Sequence, residues 1–365
     1  MSPGPYSLVL VDDEKETVEQ LGASMRAQLD AATTEVRTWA PRQGEDPLAM
    51  LDGLIDDDTI LVVTDWDLST GGQTGFFGPT IVSWCQQRSV PVGDFSRKTP
   101  NALPQEPNFF ELRVPSEPDE SATFVLNAFR GFLEVRRGVE ANADRFASLR
   151  SPAAVLATLL GRPEAEAEFA LYSPRLGSAS GSLLQQILRT APADIQPSVK
   201  EKVRLLGYVA GHVLLNAVLK FPGPILSRPA LCAYFAADDQ AFPTLSEMFD
   251  DCRYSGPFGE SGEYFWREAI DERLESMRDL LSVIGETIGE LNRSTVEAST
   301  GTSLPRHACL RCGGLNGGFY CPFTKRPVCT RSDCSVSSSS WLPDGARSCR
   351  IEEGFYDEWA PLLGL

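Results

Sequence analysis

Residues 59–68 read TILVVTDWDL, an apolar run that stops abruptly on an acid. Residues 60–64 are β-branched or aliphatic with no polar break before the last, which suits a strand buried on both faces of a parallel sheet. Asp65 then falls at the strand's carboxyl end, the edge at which open α/β sheets bind ligands. A second such run, SLVLV at 7–11, ends on Asp12, Asp13 and Glu14. Two parallel strands that both stop on carboxylates bring those groups together at one end of a sheet. Like charges held that close repel, so a divalent cation is their natural partner. Hard oxygen ligands favour magnesium over zinc.

Outward from these two strands, the first 137 residues alternate strand and helix in the doubly wound α/β manner. The spacing of Val18, Leu21, Met25 and Leu29 predicts a helix over 14–29. A second strand is expected at 34–39 and a second helix at 47–55. Ile81, Val82, Trp84 and Cys85 mark a third helix over 80–87. Phe124, Val125, Ala128, Phe129 and Phe132 mark a closing helix over 120–135, whose apolar stripe packs on the sheet.

Residues from about 6 to 137 resemble the receiver domain of bacterial two-component response regulators. The resemblance rests on VLVDDE, with Asp12 and Asp13 as the acidic pair after the first strand, and on Asp65 at the phospho-acceptor position after the third. It implies that Asp67, two beyond the acceptor, gives magnesium a backbone carbonyl. It also implies that Ser96, in VPVGDFS, supplies the hydroxyl that contacts the phosphoryl group. At the fifth strand, FFELRVP, the family has a lysine directly before proline, whereas here Val114 precedes Pro115 and Arg113 lies one place further back. Arg113 or Lys98 is left to take over that contact. Pro100, Pro104 and Pro107 predict that the family's fourth helix is shortened or lost.

Beyond Gly138 the strand pattern disappears, and helices are expected at 138–149, 152–160, 183–189, 199–221 and 263–291. Start and stop signals such as Pro152 after Ser151 support them. The lone His212 lies in an apolar helix and reads as a core histidine rather than a catalytic one. GSASGS at 177–182 lacks the lysine of a nucleotide loop and reads as linker plus helix cap. Asp238, Asp239, Asp250 and Asp251 read as solvated loop and helix-end acids.

From His307 the chain runs HACLRCGGLNGGFYCPFTKRPVCTRSDC, and such cysteine clustering in a cytoplasmic protein points to metal more than to disulfides. Cys309 and Cys312 form one knuckle, Cys329 and Cys334 a second. Four thiolates so placed can surround one structural zinc, with Cys321 an extra candidate and His307 or Cys349 able to replace a ligand. The arrangement looks like a zinc ribbon or a treble-clef finger. Arg306, Arg311, Lys325, Arg326, Arg331, Arg347 and Arg350 make it locally basic, and Phe319 and Tyr320 are able to stack on bases. A structural or protein-binding role is favoured over nucleic acid. The tail, IEEGFYDEWAPLLGL, is expected to dock on the body or on a partner.

The 365 residues, 42% of them hydrophobic and 23% charged, allow two or three globular domains with ample core. A net charge of −17 argues against wholesale binding to nucleic acid or anionic membrane, since both are polyanions. No charged start, apolar core and cleavage site open the sequence, so no secretion signal is expected. The longest apolar run, 205–219, is too short to span a bilayer and holds His212 and Asn216. The expectation is a cytoplasmic protein with a receiver-like domain at 5–137, an all-α region at 138–298, a zinc module at 303–350 and an acidic-aromatic tail at 351–365. The resemblance implies a signalling protein phosphorylated on Asp65 by a histidine kinase or a small phosphodonor. The alternatives are a pseudo-receiver scaffold independent of phosphorylation, or a nucleic-acid-binding regulator working through the finger. A long helix pair is compatible with an oligomer.

Overall fold

The computed structural model describes residues 5–42, 44–68, 77–95, 110–115, 117–148, 151–172, 198–315, 318–337 and 341–360. The chain divides into two compact units, Met1–Arg150 with Thr190–His212, and Ser151–Arg189 with Val213–Leu365.

In the first unit the order is β1 (Tyr6–Val11), α1 (Lys15–Gln28), β2 (Thr34–Trp39), α2 (Pro47–Leu54), β3 (Thr59–Asp65), α3 (Gly78–Gln87), β4 (Val92–Phe95), β5 (Glu111–Arg113) and α4 (Pro118–Ala141). The five strands form one sheet, β2-β1-β3-β4-β5, with every neighbouring pair parallel. Alternation along the pleat sends successive side chains to opposite faces. Val9, Val11, Val62 and Val92 join Leu51, Ile55, Ile81 and Cys85 in a core cluster that includes α2 and α3. Leu8, Leu10, Leu61 and Val63 are equally buried on the other face. There α1 contributes Val18 and Met25, and α4 contributes Val125, Phe129 and Phe132. Full burial of one such side chain is worth about 1.5–3 kcal/mol, which is why an uninterrupted apolar run is stable only as a central strand.

Helix starts follow local chemistry. Pro47 opens α2 behind Asp46, whose side chain accepts from the Leu48 and Ala49 N–H groups. Pro118 opens α4, with Asp119 and Glu120 in its positive first turn. The expected break at Gly138 does not occur, because α4 continues to Ala141. Val135, Arg136 and Val139 are buried there, and Arg136 pairs with Glu140 one turn on. A mid-helix glycine costs only about 1 kcal/mol, less than those contacts return.

The Val199–Val213 helix completes this unit. Tyr208 stacks on Phe110 at 4.9 Å between ring centres, and His212 is fully buried against Phe110, Phe132 and Tyr208. Arg204 and Lys200 reach Asp57 at 2.5 and 3.3 Å. The expected α-helix over 199–221 stops at Val213 and gives way to a π turn over Leu214–Val218.

The second unit is mostly helical. Ser151 caps Pro152–Leu159 by accepting from the Ala154 N–H at 3.3 Å. The expected helix over 263–291 is broken up. Tyr264–Trp266 is a strand paired antiparallel with Ile225–Ser227, so the region is not purely helical. A helix follows over Arg267–Arg278, and Thr287 then caps a new one, Ile288–Thr300, by accepting from the Glu290 N–H. Aromatic Tyr264, Phe265 and Trp266 favour the strand, and a capping threonine restarts the helix. Asp238 caps a short turn, while Asp239, Asp250 and Asp251 pair with Arg228, Arg253 and Arg273. The expected helix at 183–189 and the GSASGS stretch lie outside the described residues.

The cysteine-rich segment folds as short ribbons, Phe319–Tyr320 with Pro327–Val328 and Ser335–Val336 with Ile351–Glu352. The tail forms a helix, Glu353–Trp359, whose Phe355 stacks on Phe323 at 5.2 Å beside Trp341. Among the described residues no helix is long and apolar enough to cross a membrane.

Candidate functional site

The strand order reverses between β1 and β3, and ligands of open α/β sheets bind at such a switch point, outside the carboxyl ends of the strands. The parallel register sets Val11 opposite Thr64, so Asp12 and Asp65 emerge side by side. Asp12 is 3% exposed and its Oδ1 accepts from the Glu14 N–H at 2.8 Å. The Oδ1 of Asp65 accepts from the Trp66 N–H at 2.8 Å. Carboxylate oxygens of Asp12, Asp13 and Asp65 all lie within 4.8 Å of one another. Three hard anionic oxygens at this spacing suit a divalent cation such as magnesium, which takes one or two carboxylates and keeps several waters. Asp67 is half-buried, and its carboxylate is not among the three.

One glycine fixes how closely α3 approaches this edge. The Gly78 N–H donates to the Trp66 carbonyl at 3.0 Å. A Cβ at Gly78 would lie 2.9 Å from the Trp66 Cα and closer still to the Asp65 carbonyl oxygen. Trp66 and Phe77, on either side of that contact, are 48% and 45% exposed.

Ser96 and Lys98 lie outside the described residues. Arg113 is exposed on β5, in register with Asp94. It is close enough to Asp94 and Glu111 to favour their charged forms. Those two carboxyl groups form a pair that the sequence reading overlooked. Burial, and then the neighbouring Asp94, push Glu111 up to about 7. Burial also raises Asp94, against its hydrogen bond with Glu111 and the charge of Arg113. The two therefore share a proton near neutrality. An acid inside VPVGDF, otherwise a core strand, was the available signal.

The second candidate centre is the cysteine cluster. The Sγ atoms of Cys309, Cys312, Cys329 and Cys334 lie within 4.8 Å of one another. Cys312 and Cys329 are 3.8 Å apart. A tetrahedron with Zn–S bonds of about 2.3 Å has an edge of about 3.8 Å, so the donor set fits zinc in kind and spacing. The first knuckle closes when the Gly313 N–H donates to the Cys309 carbonyl at 2.8 Å, with Gly313 at φ +65. The Gly314 N–H donates to the Cys312 Sγ at 3.4 Å. At Cys309 burial raises the thiol, but backbone N–H groups of Cys312 and Arg311 outweigh it and bring the group down to about 7. The longer second knuckle turns on the Arg331 carbonyl, which accepts from the Cys334 and Ser335 N–H groups.

Cys321 stands apart from these four. Its Sγ accepts from the Thr324 and Glu352 N–H groups at 3.5 and 3.4 Å. The Cys349 thiol donates to the Ala346 carbonyl at 3.4 Å. His307 is buried and hydrogen-bonds the Val328 backbone, also without joining the sulfurs. His212 lies wholly within aromatic core, where burial drives its pKa down to about 3. That environment suits a packing role and keeps the ring neutral.

Much of the basic charge of the cysteine-rich segment is met from within. Arg311 pairs with Glu353, Arg331 with Asp333 at 2.8 Å, and Arg326 with Glu352 at 3.9 Å. Arg350 donates to the Ser335 hydroxyl at 2.7 Å. Such exposed pairs add little stability, but they lower the net field that a polyanion would meet.

No family model, no curated protein and no solved structure matches this chain.

Proposed function

We propose that the first unit is a receiver-like phosphoacceptor domain of doubly wound topology, and that Asp65 is the residue phosphorylated. The observation that carries this reading is the convergence of Asp12, Asp13 and Asp65 within 4.8 Å at the switch point of a parallel β2-β1-β3-β4-β5 sheet. Asp65 is half-buried at the strand end, accessible to a donor yet oriented by the Trp66 N–H. Its second carboxylate oxygen attacks phosphorus in line, the bond from phosphorus to the donor's imidazole nitrogen or acyl oxygen breaks, and the leaving group departs with the electron pair. An aspartyl phosphate results. Asp12 and Asp13 are the residues that would hold magnesium, and the Asp67 carbonyl would add a ligand. When bound, the ion neutralises charge that builds on the transferring oxygens. A histidine kinase or another signalling protein is the partner that supplies the phosphoryl group, and the helical region and the zinc-binding segment are then the output.

Intact mass after incubation with magnesium and acetyl phosphate tests this directly. One phosphoryl adduct on the wild type and none on Asp65→Asn supports the assignment. An adduct retained by Asp65→Asn overturns it.

One observation favours a second reading, a pseudo-receiver scaffold. Arg113 lies in register with Asp94, and its charge acts on the shared-proton pair with Glu111. If the residue replacing the family lysine serves that pair, the phosphoryl group lacks its usual cation. Under this reading neither protein acquires an adduct, even with a kinase, and binding to the partner is the same for wild type and Asp65→Asn.

A further inference from the structure

In the second unit the helices Arg267–Arg278 and Ile288–Thr300 are joined by a turn, DLLSVIGET over 279–287. Leu280 and Ile284 within it, and Ile288 just after it, are 86%, 91% and 70% exposed, the three highest values of any large apolar side chain among the described residues. A lone exposed leucine is ordinary on a protein surface. Three such side chains grouped in one turn are the kind of apolar concentration that marks an interaction site.

The turn is held in shape at both ends. The Leu280 and Leu281 N–H groups donate to the Met277 and Arg278 carbonyls, both at 3.1 Å, and the Leu291 N–H donates to the Thr287 carbonyl at 2.9 Å. Arg278 crosses it to reach the Asn292 side chain and, at 3.3 Å, the Thr295 hydroxyl. Gly285 lies so close to the following helix that a Cβ there would collide with the Leu291 backbone. Apolar groups presented on a fixed turn lose little freedom when they are covered, which favours their use as a docking surface.

Charge says what covers it. Residues 279–290 include Asp279, Glu286 and Glu290 and no lysine or arginine. None of the three acids forms an ion pair among the described residues. The nearest cations are turned inward, Arg278 as above and Arg293, which is buried and donates to the Ala236 carbonyl at 3.0 Å. A twofold contact with a second copy would set these acids against one another, and an anionic membrane would be repelled by them. The turn has no tryptophan or tyrosine to seat it among lipid headgroups. No strand lies within residues 267–315, so no sheet edge is open beside it for an added strand.

We propose that the 279–290 turn docks a basic amphipathic helix of a partner protein. The helix's apolar stripe covers Leu280, Ile284 and Ile288, and its lysines or arginines meet Asp279, Glu286 and Glu290. The inference rests on neither metal centre and is independent of phosphoryl chemistry in the other unit.

The test is calorimetric titration of the full chain with the peptide LKKLLKKLLKKLLK and two controls: LKLKLKLKLKLKLK, of the same composition in strand periodicity, and the acidic LEELLEELLEELLE. The first is expected to saturate at one peptide per chain and to bind about tenfold tighter than either control. Ile284→Ser with Ile288→Ser changes only exposed positions and leaves every charge in place. It is expected to weaken the first peptide about tenfold at an unchanged melting temperature. Equal affinity for either control, equal affinity of wild type and the serine variant, or no saturable binding would overturn the proposal. Sedimentation of the chain alone and flotation with phosphatidylcholine vesicles test the other occupants. A dimer or a vesicle complex that the serine variant abolishes overturns the proposal in favour of a second copy or of lipid.

Discussion

Asp13→Asn removes one charge from the acidic cluster while keeping the side chain's shape. Asp12, Asp13 and Asp65 present oxygens within 4.8 Å of one another, so this substitution relieves two repulsive pairs. At that separation two unit charges repel by about 0.9 kcal/mol at the dielectric of water and about 3.5 kcal/mol at an effective value of about 20. Asp13 and Asp65 are partly exposed, so the lower figure is the safer basis. Two pairs then give about 2 kcal/mol, equivalent to a rise of about 4–8 °C in the melting point of a unit this size. The assay is scanning calorimetry in EDTA and in magnesium. Without metal the variant is expected to melt above the wild type. With metal the order narrows or inverts, because a site that binds magnesium at a hundred times its dissociation constant gains about 2.7 kcal/mol, and the variant loses most of that. A variant that melts lower than wild type in EDTA, or keeps the full magnesium response, refutes carboxylate repulsion as the organising feature of this edge.

Three further outcomes are expected. Cys312→Ser should lower the zinc measured by elemental analysis from about one ion per chain toward none, whereas Cys321→Ser should leave it bound. Glu111 carries a folded-state pKa raised to about 7, chiefly by burial. The native state therefore holds a proton that the unfolded chain releases near pH 4.5, and stability falls as pH rises from about 4.5 to about 7. Glu111→Gln should flatten that part of the urea-denaturation profile and, with solvent screening of this partly exposed group, gain about 1–2 kcal/mol above pH 7, and an unchanged slope would show that the pair does not share a proton. Gly78→Ala should cost about 1–3 kcal/mol, since its Cβ has no room beside the Asp65 and Trp66 backbone. A neutral effect on the denaturation midpoint would mean that α3 can withdraw from this edge.

The central strands were legible because burial on both faces admits almost nothing but aliphatic side chains. The strands read at 7–11 and 60–64 fall within one residue of the observed Tyr6–Val11 and Thr59–Asp65 for that reason. Two acids immediately after one strand and one at the end of another gave the cluster away, since only backbone register was needed to bring them together. The first C-x-x-C knuckle was equally plain, and its Gly313 supplies the left-handed turn that closes it. What escaped depended on distant partners. The helix at 199–213 looked like part of an autonomous bundle, and nothing local in it says that Tyr208 stacks on Phe110. Tyr264–Trp266 lay inside a helical-looking stretch and became a strand because Ile225–Ser227 pairs with it. The Asp94–Glu111 pair arises from neighbouring strands separated by residues 96–110, and although an acid inside a core strand flags Asp94, single-sequence periodicity does not say that Glu111 is its partner.

The membership of residues 199–212 in the first unit has a consequence for the chain during synthesis. Every strand of the sheet leaves the ribosome before the helix that stacks on Phe110 and encloses His212 has been made. At about 5–20 residues per second, the delay between the end of α4 and the start of that helix lasts several seconds. For that interval Phe110 has no cover from Tyr208 and Phe132 none from His212, and apolar surface left open in this way is what holding chaperones bind. A ribosome-stalled series is expected to show chaperone contact that begins once β5 has emerged and ends once residues 199–212 have cleared the exit. Completion of the first unit's core thus waits on a segment well downstream of its sheet.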